Sequence, residues 1–81
     1  MDDSLILEEL LVVLEQNGVS IRREEMGGSG GGLCKISGKQ VCFVDNDANS
    51  TQNASICARA VEKVVDIEKV YLRPAVREFI G

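Results

Sequence analysis

Leu33-Cys34-Lys35-Ile36-Ser37-Gly38-Lys39-Gln40-Val41-Cys42-Phe43-Val44-Asp45 decides the fold class. Two short runs rich in aliphatic side chains flank a polar, glycine-containing break, which is the pattern of a β-hairpin. With Gly38-Lys39 as a two-residue turn and glycine first, the predicted geometry is type II′. Ile36 then faces Val41 and Cys34 faces Phe43, making one sheet face fully apolar and marking it for burial. The opposite face carries Leu33, Lys35, Ser37, Gln40, Cys42 and Val44, a mixture suited to water or to a partner.

Upstream of the hairpin, Val19 to Met26 alternates Val19 and Ile21 with Ser20, Arg22 and Glu24. That alternation predicts a first strand at a sheet edge, where its charges reach water. Before it, residues 4 to 17 read as a helix, with Asp2, Asp3 and Ser4 available as the cap and Gly18 as the stop after Asn17. Ile6, Leu7, Leu10, Leu11, Val13 and Leu14 share one broad apolar face of this helix, and Glu8, Glu9, Glu15 and Gln16 form the other. Leu5 and Val12 interrupt that acidic face one heptad apart, where a monomer would prefer polar groups.

Downstream, residues 51 to 65 read as a second helix capped by Asn49 or Ser50, with Ala54, Cys57, Ala58, Ala60, Val61, Val64 and Val65 on its apolar arc. Pro74 suits the first turn of a short final helix over residues 75 to 80. The expected architecture is α+β in the order α-β-β-β-α-α. It comprises a three-stranded antiparallel meander, two main helices on one face and a short C-terminal helix, within one small domain over residues 1–81.

Composition narrows the function classes. The hydrophobic content of 44% fits a globular chain, and with only 4% aromatic residues the interior must be filled by Leu, Ile and Val. A net charge of −4 and a pI near 4.7 oppose nucleic-acid binding, which needs a concentrated positive footprint. The apolar stretch from Leu5 to Leu14 is broken by Glu8 and Glu9 and is too short to span a bilayer, so no membrane association is expected. Cys34, Cys42 and Cys57 make an odd count, which suits reduced thiols and a cytoplasmic location. The chain contains no histidine, which removes the commonest general base and the commonest zinc ligand.

Four local patterns could carry chemistry. Gly27-Gly28-Ser29-Gly30-Gly31-Gly32 offers backbone amides that could approach an anion, with Lys35 and Arg59 as charge partners. A Walker loop, however, opens a helix, whereas Leu33-Cys34-Lys35 opens a strand. The cysteines could serve a metal or redox site, but none forms CxxC, and a two-residue turn sends Cys34 and Cys42 to opposite faces. Asp45-Asn46-Asp47-Ala48-Asn49 matches the first positions of a calcium loop, yet Ser50 stands at the turn glycine and Ile56 at the closing glutamate, so turn and cap roles are the better reading. The carboxylate pairs Glu24/Glu25 and Glu62/Asp66 read as solvated surface.

From Cys34 to Lys63 the chain resembles the core of the ImmA/IrrE family of small zinc metallopeptidases. The resemblance rests on the strand Val41-Cys42-Phe43-Val44-Asp45-Asn46, the polar turn after it, and the helix Ile56-Cys57-Ala58-Arg59-Ala60-Val61-Glu62-Lys63 at the place of the HExxH helix. Arg59 and Lys63 stand where the two zinc histidines belong, and Ala60 stands where the catalytic glutamate belongs. The resemblance therefore implies an architecture with its zinc site lost and no activity. No catalytic residue, metal ligand set or cofactor is expected. The leading expectation is a non-enzymatic domain binding a protein partner, a second copy being the simplest, through Leu5 and Val12 or through Lys35, Cys42 and Val44. The alternatives are anion or small-molecule binding at Gly27, Gly28, Gly30, Gly31, Gly32, Lys35 and Arg59, and a thiol-based site at Cys34 and Cys42.

Overall fold

Helix α1 (Asp3–Gln16) starts where the sequence provides an acceptor for its first amides, the Asp2 carboxylate taking the Leu5 N–H at 3.0 Å. Its end is a reversed pair of bonds. Val19 N–H donates to the Leu14 carbonyl at 3.0 Å and Gly18 N–H to the Glu15 carbonyl at 3.2 Å, with Gly18 at φ +85°. Val19 and Leu14 are buried in the same core, so the apolar contact of this capping motif fixes where the chain turns into the sheet. The computed structural model describes residues 1–81 and continues with β1 (Ser20–Glu24), β2 (Gly32–Ile36), β3 (Lys39–Asp45), α2 (Ser50–Val64) and α3 (Pro74–Ile80). The expected α+β class and element order are therefore present.

The sheet is mixed rather than an antiparallel meander. Its order is β1-β3-β2, with β1 parallel and β2 antiparallel to β3. The correction follows from which strand is apolar enough to be central. β3 is the longest strand and carries Val41, Cys42, Phe43 and Val44 in succession, whereas β1 and β2 carry the charges and glycine that edges tolerate. The glycine-rich segment then crosses from one edge of the sheet to the other, a span of two strand spacings, about 10 Å.

Two details of the hairpin also differ from expectation. The turn is Ser37-Gly38 with both residues at positive φ (51° and 80°), the type I′ arrangement, so Cys34 pairs with Val41 and Ile36 with Lys39. More consequential is the side that the helices cover. They pack on the face carrying Ile21, Leu33, Cys42 and Val44, while Cys34, Ile36, Val41, Phe43 and Arg22 form the outer face. The division of residues between faces is as expected, and the buried side is the opposite one. β1 decides it: Ile21 lies beside Cys42 and Arg22 beside Phe43, so burying the apolar member of β1 turns Cys42 inward. On the outer face the Arg22 guanidinium lies 5.6 Å from the Phe43 ring centroid, which covers part of the ring.

The core combines Ile6, Leu7, Leu10, Leu11 and Leu14 of α1 with Ala54, Cys57, Ala58, Ala60 and Val61 of α2. The small side chains of α2 let the two helices approach closely. Thr51 Oγ1 donates to Asp3, and the hydroxyls of Ser4 and Ser50 meet at 2.9 Å. Leu72 and Val76 close the remaining side, and the Arg77 guanidinium ties α3 to the Ile67 carbonyl at 2.8 Å. No helix is long and apolar enough to cross a membrane.

Candidate functional site

The first place to look for chemistry is the glycine-rich segment, and the amides of Gly27 and Gly30 within it are already given to the chain's own carboxylates. Asp45, the last residue of β3, is fully buried, and its carboxylate accepts from the amides of Met26 at 3.0 Å, Gly30 at 2.9 Å and Asp47 at 2.8 Å. Asp47 in turn accepts from Gly27 N–H at 2.9 Å, and Ser29 Oγ donates to the Met26 carbonyl at 2.8 Å. Burial pushes the Asp45 carboxyl up, but the amides of Gly30, Asp47, Met26 and Gly28 outweigh it and hold the group below the ordinary carboxylate value. The anion that these amides wait for is the chain's own side chain. Of the expected ligand set Gly27, Gly28, Gly30, Gly31 and Gly32, the amides of Gly27 and Gly30 are thus engaged in an internal clasp.

Two further contacts complete it. A Cβ on Gly31 would fall 1.9 Å from the Phe43 carbonyl oxygen, so only glycine permits this approach of loop to strand. Asn53 of α2, itself buried, accepts from Asp45 N–H at 3.3 Å and donates to the Asp45 carbonyl at 2.8 Å. β2 pairing ends opposite Phe43, so the Asn53 amide stands in for a strand partner one step beyond. Lys35 and Arg59 do not join the glycine run. Arg59 is exposed on α2, and Lys35 lines a shallow polar hollow with Gly18, Ser20, Gly38, Lys39 and Gln40. Asn49 serves as the α2 cap, its Oδ1 accepting Gln52 N–H at 2.8 Å, which accounts for another of the oxygens in the calcium-like pattern.

The structure does not bring together Cys34 and Cys42, the pair of the alternative thiol site, which lie on opposite faces of the sheet. Cys34 is exposed on the outer face, whereas Cys42 and Cys57 are buried together in the core. The bond that Cys57 makes to Cys42, with burial added, pushes the Cys57 thiol far up, while Cys42, receiving that bond, is held lower against its own burial. No group of three or more acidic or thiol side chains is arranged to hold a metal ion. Cys42 and Val44 are likewise removed from the expected contact surface, being 0% and 2% exposed.

Leu5 and Val12 remain at the surface, 54% and 49% exposed, and the structure adds neighbours that the sequence did not reveal. Together with Met1 and Tyr71 they line one groove of about 570 Å³ between α1 and the segment leading into α3, floored by Val13, Leu72 and Val76. Of the five large apolar side chains left exposed, only Ile36 lies elsewhere. The acids on the rim are neutralised from within the chain. Arg23 bonds both oxygens of Glu8 at 3.1 Å, and Arg73 Nε lies 2.9 Å from Glu9. The groove is thus apolar with balanced charge around it.

Tyr71 and Arg73 lie in a stretch with no regular period, so no amphipathic pattern announced them. Asn53 did leave a signal, a polar residue on the same helical arc as Cys57, Ala60 and Val61. No protein-family model, curated protein or solved structure matches the chain.

Proposed function

We propose that this is a non-enzymatic protein-interaction domain whose contact surface is the groove between α1 and residues 71–76. The observation that carries the reading is the convergence of Met1, Leu5, Val12 and Tyr71, four of the five exposed large apolar side chains, on a single concavity. Apolar groups scattered over a surface need no explanation, whereas a contiguous apolar site with a polar rim is what binding interfaces present. Tyr71, 84% exposed, is the type of aromatic side chain that anchors such contacts once desolvated. The reading also accommodates descent from the ImmA/IrrE pattern, because Arg59, Ala60 and Lys63 supply neither zinc ligand nor base and leave binding as the role to keep.

The test is photochemical crosslinking in cells producing the full chain, with Val12 replaced by benzoylphenylalanine and, as control, Glu62 on the exposed side of α2. The expected result is a discrete protein adduct from position 12 alone, abolished by Leu5→Glu in the same chain. Equal labelling from both positions, or none from position 12, would remove the proposal.

A further inference from the structure

Resting on the groove being an interaction surface, we infer that its occupant is a second copy of this chain, with the two α1 helices antiparallel across a two-fold axis near Glu8 and Glu9. The spacing of Leu5 and Val12 is seven residues, a rise of about 10.5 Å along the helix. A two-fold axis perpendicular to α1 midway between them sets Leu5 of each copy against Val12 of the other, so one apolar pair is made twice, as an isologous interface requires.

The charges meet the same condition. An antiparallel α1 pair brings Glu9 of each copy toward the axis, which would be repulsive for bare carboxylates. Here each arrives with Arg73 already bonded to it, and the two-fold places Glu9, Arg73 and their symmetry mates in alternating sign. Glu8 is held in the same way by Arg23. With no unbalanced charge along the rim, a strongly acidic or basic partner gains nothing here, whereas an identical neutral apolar face does. α1 is 14 residues, about 21 Å long, so both Leu5–Val12 contacts, one on either side of the axis, fall within its length.

The experiment uses the purified full chain. Sedimentation from micromolar to millimolar concentration should show the mass rising from 8.8 kDa toward a dimer, with Leu5→Glu and Val12→Glu each weakening association at least about tenfold. Register is read by disulfide trapping in a Cys34→Ser background: a mixture of Leu5→Cys and Val12→Cys chains should crosslink to each other, and neither should crosslink to itself. Arg73→Ala should weaken association most at low salt and recover as salt screens the exposed Glu9 pair. A monomer at millimolar concentration, or crosslinks from 5 to 5 and 12 to 12, would overturn the inference. A monomer in solution together with a position-12 adduct to a different protein would overturn this pairing while leaving the interaction surface standing.

Discussion

Replacing Asn53 with alanine tests the clasp at its most structural point. The Asn53 amide bonds both the N–H and the C=O of the last β3 residue, at 3.3 and 2.8 Å, in a place with no exposure. Alanine leaves the Asp45 N–H without a partner and takes one of two donors from the carbonyl, which keeps the Ala48 N–H at 3.1 Å, for a total of about 2 kcal/mol. At 0.05–0.15 kcal/mol per residue, a chain of this length has roughly 4–12 kcal/mol of stability, so the loss is a large part of the whole. With about 4–8 °C of Tm per kcal/mol for a domain of this size, thermal denaturation followed by circular dichroism should show Tm falling by roughly 8–16 °C. Asn49→Ala is the calibrating variant. It removes only the α2 cap bond and should cost about 1 kcal/mol, hence roughly 4–8 °C. A Tm for Asn53→Ala within about 2 °C of the parent, or above that of Asn49→Ala, would refute the idea that a side chain substitutes for a strand here.

Three other outcomes follow from the same geometry. Asp45 has a folded-state pKa below its unfolded value, so its contribution is complete above about pH 4 and is lost as pH falls through the folded pKa; urea midpoints measured from pH 6 to 2 should fall less steeply for Asp45→Asn than for the parent. Gly31→Ala drives a methyl into the Phe43 carbonyl and should lower Tm more than Gly32→Ala, whose added Cβ meets nothing within 4 Å, although that position has φ +152°. In thiol titration with an aromatic disulfide at pH 8, one equivalent, Cys34, should react at once, while Cys42 and Cys57 respond only at the rate of opening or in denaturant. Three fast equivalents would contradict the buried pair.

What the sequence made legible was local. The α1 period, its stop at Gly18, the Asn49 cap and the Pro74 start all depend on neighbours within one or two turns, and all appear in the structure. The division of the hairpin into two faces was legible too, because strand alternation is fixed by parity. Which of those faces the helices cover was not, since the hairpin alone favours burying Ile36, Val41 and Phe43, and the decision lies with Ile21 on a strand eleven or more residues away. Strand order was legible only in part: the apolar run of β3 marks it as central, but a short hairpin and an upstream edge strand are equally compatible with a meander, and the parallel pairing of β1 to β3 has no local signal. The internal partners of the glycine run were not legible because Asp45 and Asp47 are 15 to 20 residues distant, and no periodicity links an amide to a remote carboxylate.

The buried clasp and the apolar groove divide the molecule in a way that makes its function testable. The clasp around Asp45 is buried, fully bonded and bound to the fold, so substitutions there report on stability. The groove is the reverse case. Leu5, Val12 and Tyr71 are about half exposed or more, and their replacement by polar residues removes few core contacts, which keeps the stability cost near 0.5 kcal/mol or below. Its rim pairs are also exposed, with Arg23 and Arg73 at 45% and 62%, so breaking either contributes little to folding. A surface that keeps two arginines on two glutamates without a folding benefit of that size is explained if the neutrality matters to what lies across it. Loss of association at unchanged Tm in Leu5→Glu, Val12→Glu and Arg73→Ala would therefore report on the contact itself, whereas a parallel fall in Tm would return these residues to the core and leave the groove without a role.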